Sequence, residues 1–134
     1  MEEKPVEIKQ ISERELWVGD HRFYLGEGNI IYCTTVGAID AEMAIAFDEV
    51  TLKLMNMVDG KVNLFIDLSR TGLATSKSRK MGKKRFELEK IGKIAMFGMH
   101  PVARVLASFV MGITKKEDMR FFKIKEEALA WLKE

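Results

Sequence analysis

Residues 62–68 of the chain read Val-Asn-Leu-Phe-Ile-Asp-Leu, a short and nearly all-apolar stretch. Strands that are covered by helices on both faces have this pattern, and they are typical of parallel sheets. Upstream of it, from Asp40, the apolar residues recur about every 3.6 residues, which indicates a helix. A strand that follows a helix in this way favours an α/β fold with a mainly parallel sheet.

The elements around this strand can be read outward from it. Asp40 is suited to cap the preceding helix, because its carboxylate can accept hydrogen bonds from the first backbone amides. Downstream we expect a polar loop over 69–76, a basic helix from Lys77 to about Ile91 and a strand over 93–98. A third helix is predicted from His100-Pro101 to Gly112, then a strand over 120–123 and a closing helix that buries Trp131. About four helices are expected in all.

Residues 15–36 have a different pattern, in which strand-forming residues lie between glycine-rich turns. The turn signals are Gly19-Asp20 and residues 26–29. We interpret this part as an antiparallel meander joined to the parallel sheet. With 134 residues, 47% of them hydrophobic, the chain suits one domain, expected over 13–134. The Glu-rich N-terminus over 1–12 is expected to be partly flexible.

Several classes of protein are disfavoured. No run of about 18 apolar residues predicts a transmembrane helix, and the start Met-Glu-Glu-Lys-Pro does not have the order of a secretion signal, so a cytoplasmic protein is expected. Cys33 is the only cysteine and is interpreted as a core residue, and the two histidines have no metal-ligand spacing. No phosphate-loop or nucleophile-elbow string occurs, which favours a non-enzyme without metal or cofactor.

The net charge of +2 conceals an uneven distribution. Residues 1–67 carry 6 Lys+Arg against 13 Asp+Glu, whereas residues 68–134 carry 16 against 7. Six cations lie within nine residues, between Lys77 and Arg85. Cations at a helix start oppose the helix dipole, so stability alone does not favour them there, and an anionic partner would reverse the sign of that interaction. A solvated helix face is the simpler interpretation of such a run.

Three strings carry a resemblance: VNLFIDLS (62–69), KIAMFGMHPVARVLASFV (93–110) and MRFFKIKEEALAWL (119–132). In these strings the chain resembles the SpoIIAA-like proteins, which are related to the STAS domain of sulfate transporters and anti-sigma factor antagonists and, more remotely, to CRAL-TRIO lipid-binding domains. The resemblance implies a single-domain STAS-like α/β fold. It also places Ser76 at the position of a phosphorylatable serine, although Thr75 and Lys77 differ from the residues that flank it in that family's pattern.

The basic stretch, the hydroxyl-rich loop and the segment after Gly98 together suggest a binding site, because ligands of open α/β sheets bind beyond the carboxyl ends of the strands. The candidate anion- or partner-binding residues are Ser69, Thr71, Thr75, Ser76, Lys77, Arg79, Lys80, Lys84, His100 and Arg104. For Asp67 and His100 a capping role is favoured over acid or base catalysis.

The main hypothesis is a regulatory or binding module for an acidic protein or an anionic small ligand, such as a nucleotide or phospholipid headgroup, with no specific nucleic acid. The alternative, from the CRAL-TRIO side of the resemblance, is a small carrier with an apolar pocket for a lipid or another hydrophobic molecule. An exposed edge of the meander is compatible with a homodimer.

Overall fold

The computed structural model describes residues 6–98 and 118–134 of the chain. Seven strands form one sheet in sequence order, β1-β2-β3-β4-β5-β6-β7. They are β1 (Ile8–Ser12), β2 (Glu15–Val18), β3 (His21–Gly26), β4 (Ile30–Ile39), β5 (Val62–Ala74), β6 (Ile91–Phe97) and β7 (Met119–Phe122). The α-helices of the described residues are α1 (Ala41–Met55), α2 (Ser76–Phe86) and α3 (Lys125–Leu132), and a 3-10 turn spans Glu27–Asn29.

The sheet is mixed, with its two pairing modes divided at β4. Strands β1 to β4 pair antiparallel, and β2 to β4 correspond to the predicted meander; β4 to β7 pair parallel. Parallel neighbours need a crossover connection, and α1 and α2 provide it between β4 and β5 and between β5 and β6. The α/β class with a mixed sheet is confirmed.

Each face of the sheet has its own apolar cluster. On one face α1 buries Phe47, Val50 and Leu54 against β2 to β6, and Phe86 of α2 packs against the same cluster. On the other face α3 buries Trp131 and its neighbours against Ile30, Phe65 and Ala95. The central strands are therefore apolar on both faces, as the stretch 62–68 predicted.

Helix α1 begins as the sequence predicts. Asp40 has extended backbone angles, and its Oδ1 accepts a hydrogen bond from the Met43 amide at 2.9 Å. This is the geometry of an N-cap residue, which satisfies one of the amides left without a partner at a helix start.

The prediction of a polar loop over 69–76 is wrong, because β5 continues to Ala74. Strand β4 reaches Ile39, and β5 follows it in parallel register, with Val36 opposite Arg70 and Ile39 opposite Ala74. Irregularities between Thr34 and Val36 and again near Ile39 keep the pairing over this length. Backbone pairing with a neighbour, rather than side-chain hydrophobicity, makes this polar segment a strand.

Other boundaries shift by a few residues. Helix α2 ends at Phe86, not near Ile91, because β6 begins at Ile91. Residues 8–12, placed within the N-terminus of 1–12, form β1 and pair with β2. The third helix predicted from His100 to Gly112 lies outside the described residues, which contain three α-helices where the sequence as a whole predicted about four. Within the described part of the chain, every helix is too short or too polar to cross a membrane.

Candidate functional site

The junction between β5 and α2 carries the candidate residues that the structure brings closest together. Thr75 has extended backbone angles and is the N-cap of α2, with its side chain accepting a hydrogen bond from the Ser78 amide at 3.2 Å. Ser76 and Lys77 are the first two residues of the helix, and both are exposed. The helix start predicted from the sequence, Lys77, is one residue later.

Ser78 attaches this helix start to the end of β4. It is only 5% exposed, and its Oγ donates to the carbonyl oxygens of Thr75 at 2.8 Å and of Ile39 at 3.1 Å. The Thr75 amide donates to the same Ile39 carbonyl at 3.0 Å. The first turn of α2 is therefore held in a defined position on the sheet, which a binding site requires.

The six cations between Lys77 and Arg85 do not act as one cluster. Arg79 turns back and donates from Nη1 to the Ala74 carbonyl at 2.8 Å, at the end of β5. Arg85 forms an ion pair with Asp48 of α1, and its Nη2 donates to the Ala44 carbonyl at 3.1 Å. Both arginines are thus bonded within the fold; Arg79 was among the predicted binding residues, whereas Arg85 was not.

The exposed lysines are Lys77, Lys80 and Lys84, which follow one edge of α2. No hydrogen bond or ion pair joins their side chains to any other described residue. The first turn of α2 contains no acidic residue, so nothing of opposite charge in that turn offsets the cations. Lys77 and Lys80 thus add positive charge to the positive end of the helix dipole, an arrangement that favours an anion.

Ser69 lies on β5 beside the end of β6. Its amide donates to Oδ1 of Asp67 at 2.9 Å and its hydroxyl donates to the same oxygen at 2.6 Å, so Asp67 has the local capping role predicted for it. Gly98 follows β6 with φ +84°, and a Cβ atom at Gly98 would lie 2.7 Å from Cβ of Ser69. Ser69 of β5 therefore lies against Gly98, whereas the segment after Gly98 lies outside the described residues.

Thr71 occupies a third position. Its hydroxyl is hydrogen-bonded to the hydroxyl of Thr35 and also donates to the Thr35 carbonyl at 3.3 Å. Its side chain therefore joins β5 to β4. At about 3.3 Å per residue, an extended chain from Ser69 to Thr75 spans up to about 20 Å. Ser69 and Thr71 thus lie along a strand that leads to the helix start, and His100 and Arg104 lie outside the described residues.

Two titratable side chains are buried away from this junction. Burial raises the pKa of the Cys33 thiol to about 12, so this residue has the core role predicted for it and is not a thiolate nucleophile. His21 is 2% exposed, and its Nδ1 accepts a hydrogen bond from the Val36 amide at 3.0 Å. Burial lowers the pKa of His21, against a smaller opposing effect of Asp20. Residues 6–98 and 118–134 contain no group of acidic, His and Cys side chains that could hold a metal ion.

These features define a small α/β domain with one mixed sheet and an exposed basic helix start at a strand-to-helix junction. The model of the SpoIIAA-like family matches residues 30–133, which is most of the chain, and the protein belongs to this family. The resemblance seen in the sequence is thereby confirmed.

Two solved structures have a similar fold. An uncharacterised protein with a SpoIIAA-like fold from Shewanella loihica PV-4 is 13% identical, with a TM-score of 0.65 and 98% of each chain covered. The anti-sigma factor antagonist SpoIIAA in its unphosphorylated form is 12% identical, with a TM-score of 0.57, covering 82% of this chain and 94% of that one. At these identities the likeness concerns the fold. No curated protein matches the chain.

Proposed function

We propose that this protein is a non-catalytic regulatory module of the cytoplasm that binds an anionic partner, an acidic protein or a phosphate-bearing ligand, at the start of α2. The observation that carries the proposal is the start of α2, where Lys77 and Lys80 are exposed, lack partners among the described residues and oppose the helix dipole. An anion there would gain from the cations and from the unpaired amides of the helix start.

The neighbouring residues support this placement. The Thr75 cap and the buried Ser78 fix the turn, and Arg79 holds the end of β5. Lys84 continues the row of lysines away from the junction, about 12 Å along the helix from Ser76 at 1.5 Å per residue. The proposal therefore centres on Ser76, Lys77 and Lys80, with Lys84 at the far end of the row.

Ser76 is proposed as a site of phosphorylation within this module. Its side chain is exposed in the first turn of α2, and its hydroxyl has no hydrogen-bond partner among the described residues. A phosphate on it would add a dianion to the positive end of the helix, next to Lys77 and one turn from Lys80. Phosphorylation would thus neutralise the charge that attracts an anionic partner.

Binding is tested by NMR titration of the full chain with inorganic pyrophosphate and, separately, with a polyglutamate peptide at low ionic strength. We expect amide shifts centred on residues 75–80 that disappear in a K77S/K80S variant. The matched control is K9S/K61S, which loses the same charge from exposed lysines elsewhere and should bind as the wild type does. Shifts that are absent, or that are equal in both variants, contradict the proposal.

The carrier hypothesis has a distinct outcome in native mass spectrometry of gently purified protein. A retained apolar molecule would support a carrier, whereas ligand-free protein that gains mass on addition of pyrophosphate supports the anion site.

The K77S/K80S variant should also be as stable as the wild type or slightly more stable, since two charges that oppose the helix dipole are removed.

A further inference from the structure

The outward-facing side of α1 exposes two large apolar residues that lie seven positions apart. Ile45 is 56% exposed and Leu52 is 45% exposed, so they form a row along one face of the helix. Exposed apolar side chains that are grouped in this way, rather than scattered singly, mark a contact surface.

Arg85 fixes how α2 lies beside α1. Its ion pair with Asp48 and its hydrogen bond to the Ala44 carbonyl place the two helices side by side. Lys84 precedes Arg85 and Ile45 follows Ala44, so both lie near this crossing, and both are exposed. The outer faces of α1 and α2 are therefore one continuous surface.

Charges of opposite sign flank the apolar row on this surface. Successive helical residues are about 100° apart, which puts Ile45 about 100° and Glu49 about 140° around α1 from Ala44, the side that contacts α2. Glu49 is exposed and has no ion-pair partner among the described residues. The order across the surface is thus Lys84 on α2, then Ile45 and Leu52, then Glu49 on the far side of α1.

We propose that this striped surface binds a second copy of the chain, with a two-fold axis parallel to α1 and close to Ile45 and Leu52. Such an axis brings each apolar row against its counterpart and sets Lys84 of each subunit opposite Glu49 of the partner subunit. A two-fold axis across the helices would instead oppose lysine to lysine. The surface is therefore self-complementary in one arrangement, as an isologous interface requires.

The size of the surface sets the expected strength. A 15-residue helix is about 22 Å long, and two neighbouring helices are together about 20 Å wide, so each copy would bury about 400 Å². About 800 Å² in total is less than the area of a standard stable interface. The dimer is accordingly expected to be weak and transient.

An anionic lipid surface fits this face less well than a second copy does. Lys84 would be attracted to the lipid, but Glu49 lies on the same face and would be repelled. A second copy has an opposite charge for each of them.

The test is sedimentation equilibrium of the full chain from about 10 µM to about 1 mM at low salt, so that a weak dimer is populated at the upper end. We expect a monomer–dimer equilibrium that E49K and K84E each weaken at least tenfold, because two-fold symmetry places every substitution in the interface twice. The double variant E49K/K84E should recover most of the wild-type affinity, since the charge pairs are restored with their signs exchanged.

The controls separate this proposal from the anion site. I45S/L52S should remain monomeric, whereas I124S, which changes a residue that is 50% exposed outside this surface, should dimerise as the wild type does. K77S/K80S should keep the dimer even though it loses anion binding. A monomer at every concentration overturns the proposal, as does a charge swap without recovery. If that monomer binds phosphatidylserine vesicles through Lys84, the surface faces lipid instead.

Discussion

The Nδ1 atom of His21 accepts a hydrogen bond from the backbone amide of Val36 at 3.0 Å, in a site where the imidazole is almost entirely buried. An acceptor Nδ1 means that the ring is neutral and carries its proton on Nε2. The ring also meets Phe47 of α1 edge to face at 4.9 Å. His21 thus joins β3 to the irregular part of β4 and to the helix above it.

We predict that His21 makes stability depend on pH. Burial lowers its pKa in the folded state, so the unfolded chain takes up the proton first as the pH falls. The free energy of unfolding should be highest above about pH 6.5, the ordinary value of the unfolded side chain, and should decrease as the pH falls towards the lower folded value.

The measurement is urea unfolding at several pH values between about 7.5 and 5. H21N is the matched variant, because its amide oxygen can accept the Val36 hydrogen bond but does not titrate. The difference in unfolding free energy between the wild type and the variant should decrease as the pH falls. An identical pH dependence in both proteins would mean that His21 is not the group responsible.

Ser78→Ala should destabilise the fold by about 1–3 kcal/mol. The change removes the hydroxyl that donates to the carbonyls of Ile39 and Thr75 in a nearly buried position. Ser76→Ala is the matched control, since Ser76 is exposed and should change stability by less than about 0.5 kcal/mol. Equal unfolding free energies for the two variants would show that Ser78 does not attach α2 to β4.

Gly98→Ala should destabilise the fold more than Gly60→Ala does. Both glycines have positive φ, +84° and +88°, so an alanine at either adds backbone strain of order 1 kcal/mol or more. Only at Gly98 does the new Cβ meet backbone, at 2.9 Å from the Ser69 amide nitrogen, whereas nothing lies within 4 Å at Gly60. Thermal unfolding should therefore give a clearly lower Tm for G98A than for G60A, and equal values would refute the close approach to Ser69.

Trp131→Ala should lower the free energy of unfolding by about 3–5 kcal/mol, as expected when a large aromatic side chain is removed from a core. The indole is 8% exposed, packs against Phe122 at 5.6 Å and lies beneath the cations of Lys93 and Arg120. Chemical denaturation measures the cost, with I124A as a control at an exposed position near the start of α3. A loss below about 1 kcal/mol would mean that α3 contributes little to the second core.

Features that depend on nearby residues were predictable from the sequence. The apolar stretch 62–68, the spacing after Asp40 and the closing helix with Trp131 each depend on periodicity and capping within a few residues, and each is present. The meander followed from the turn residues between its strands. The exposed lysines of α2 were also foreseen, since long runs of charge remain in solvent.

Contacts between distant parts of the chain were decided by the tertiary structure alone. Pairing with β4 turned residues 69–74 from a polar loop into strand, and packing of α2 on α1 separated Arg85 from the lysines beside it. The same is true of His21 with Val36 and of Gly98 against Ser69. Periodicity reports which face of an element is apolar, but it does not say which partner that element meets. The basic helix start was therefore visible in the sequence, whereas which of its cations are exposed to a partner depended on the fold.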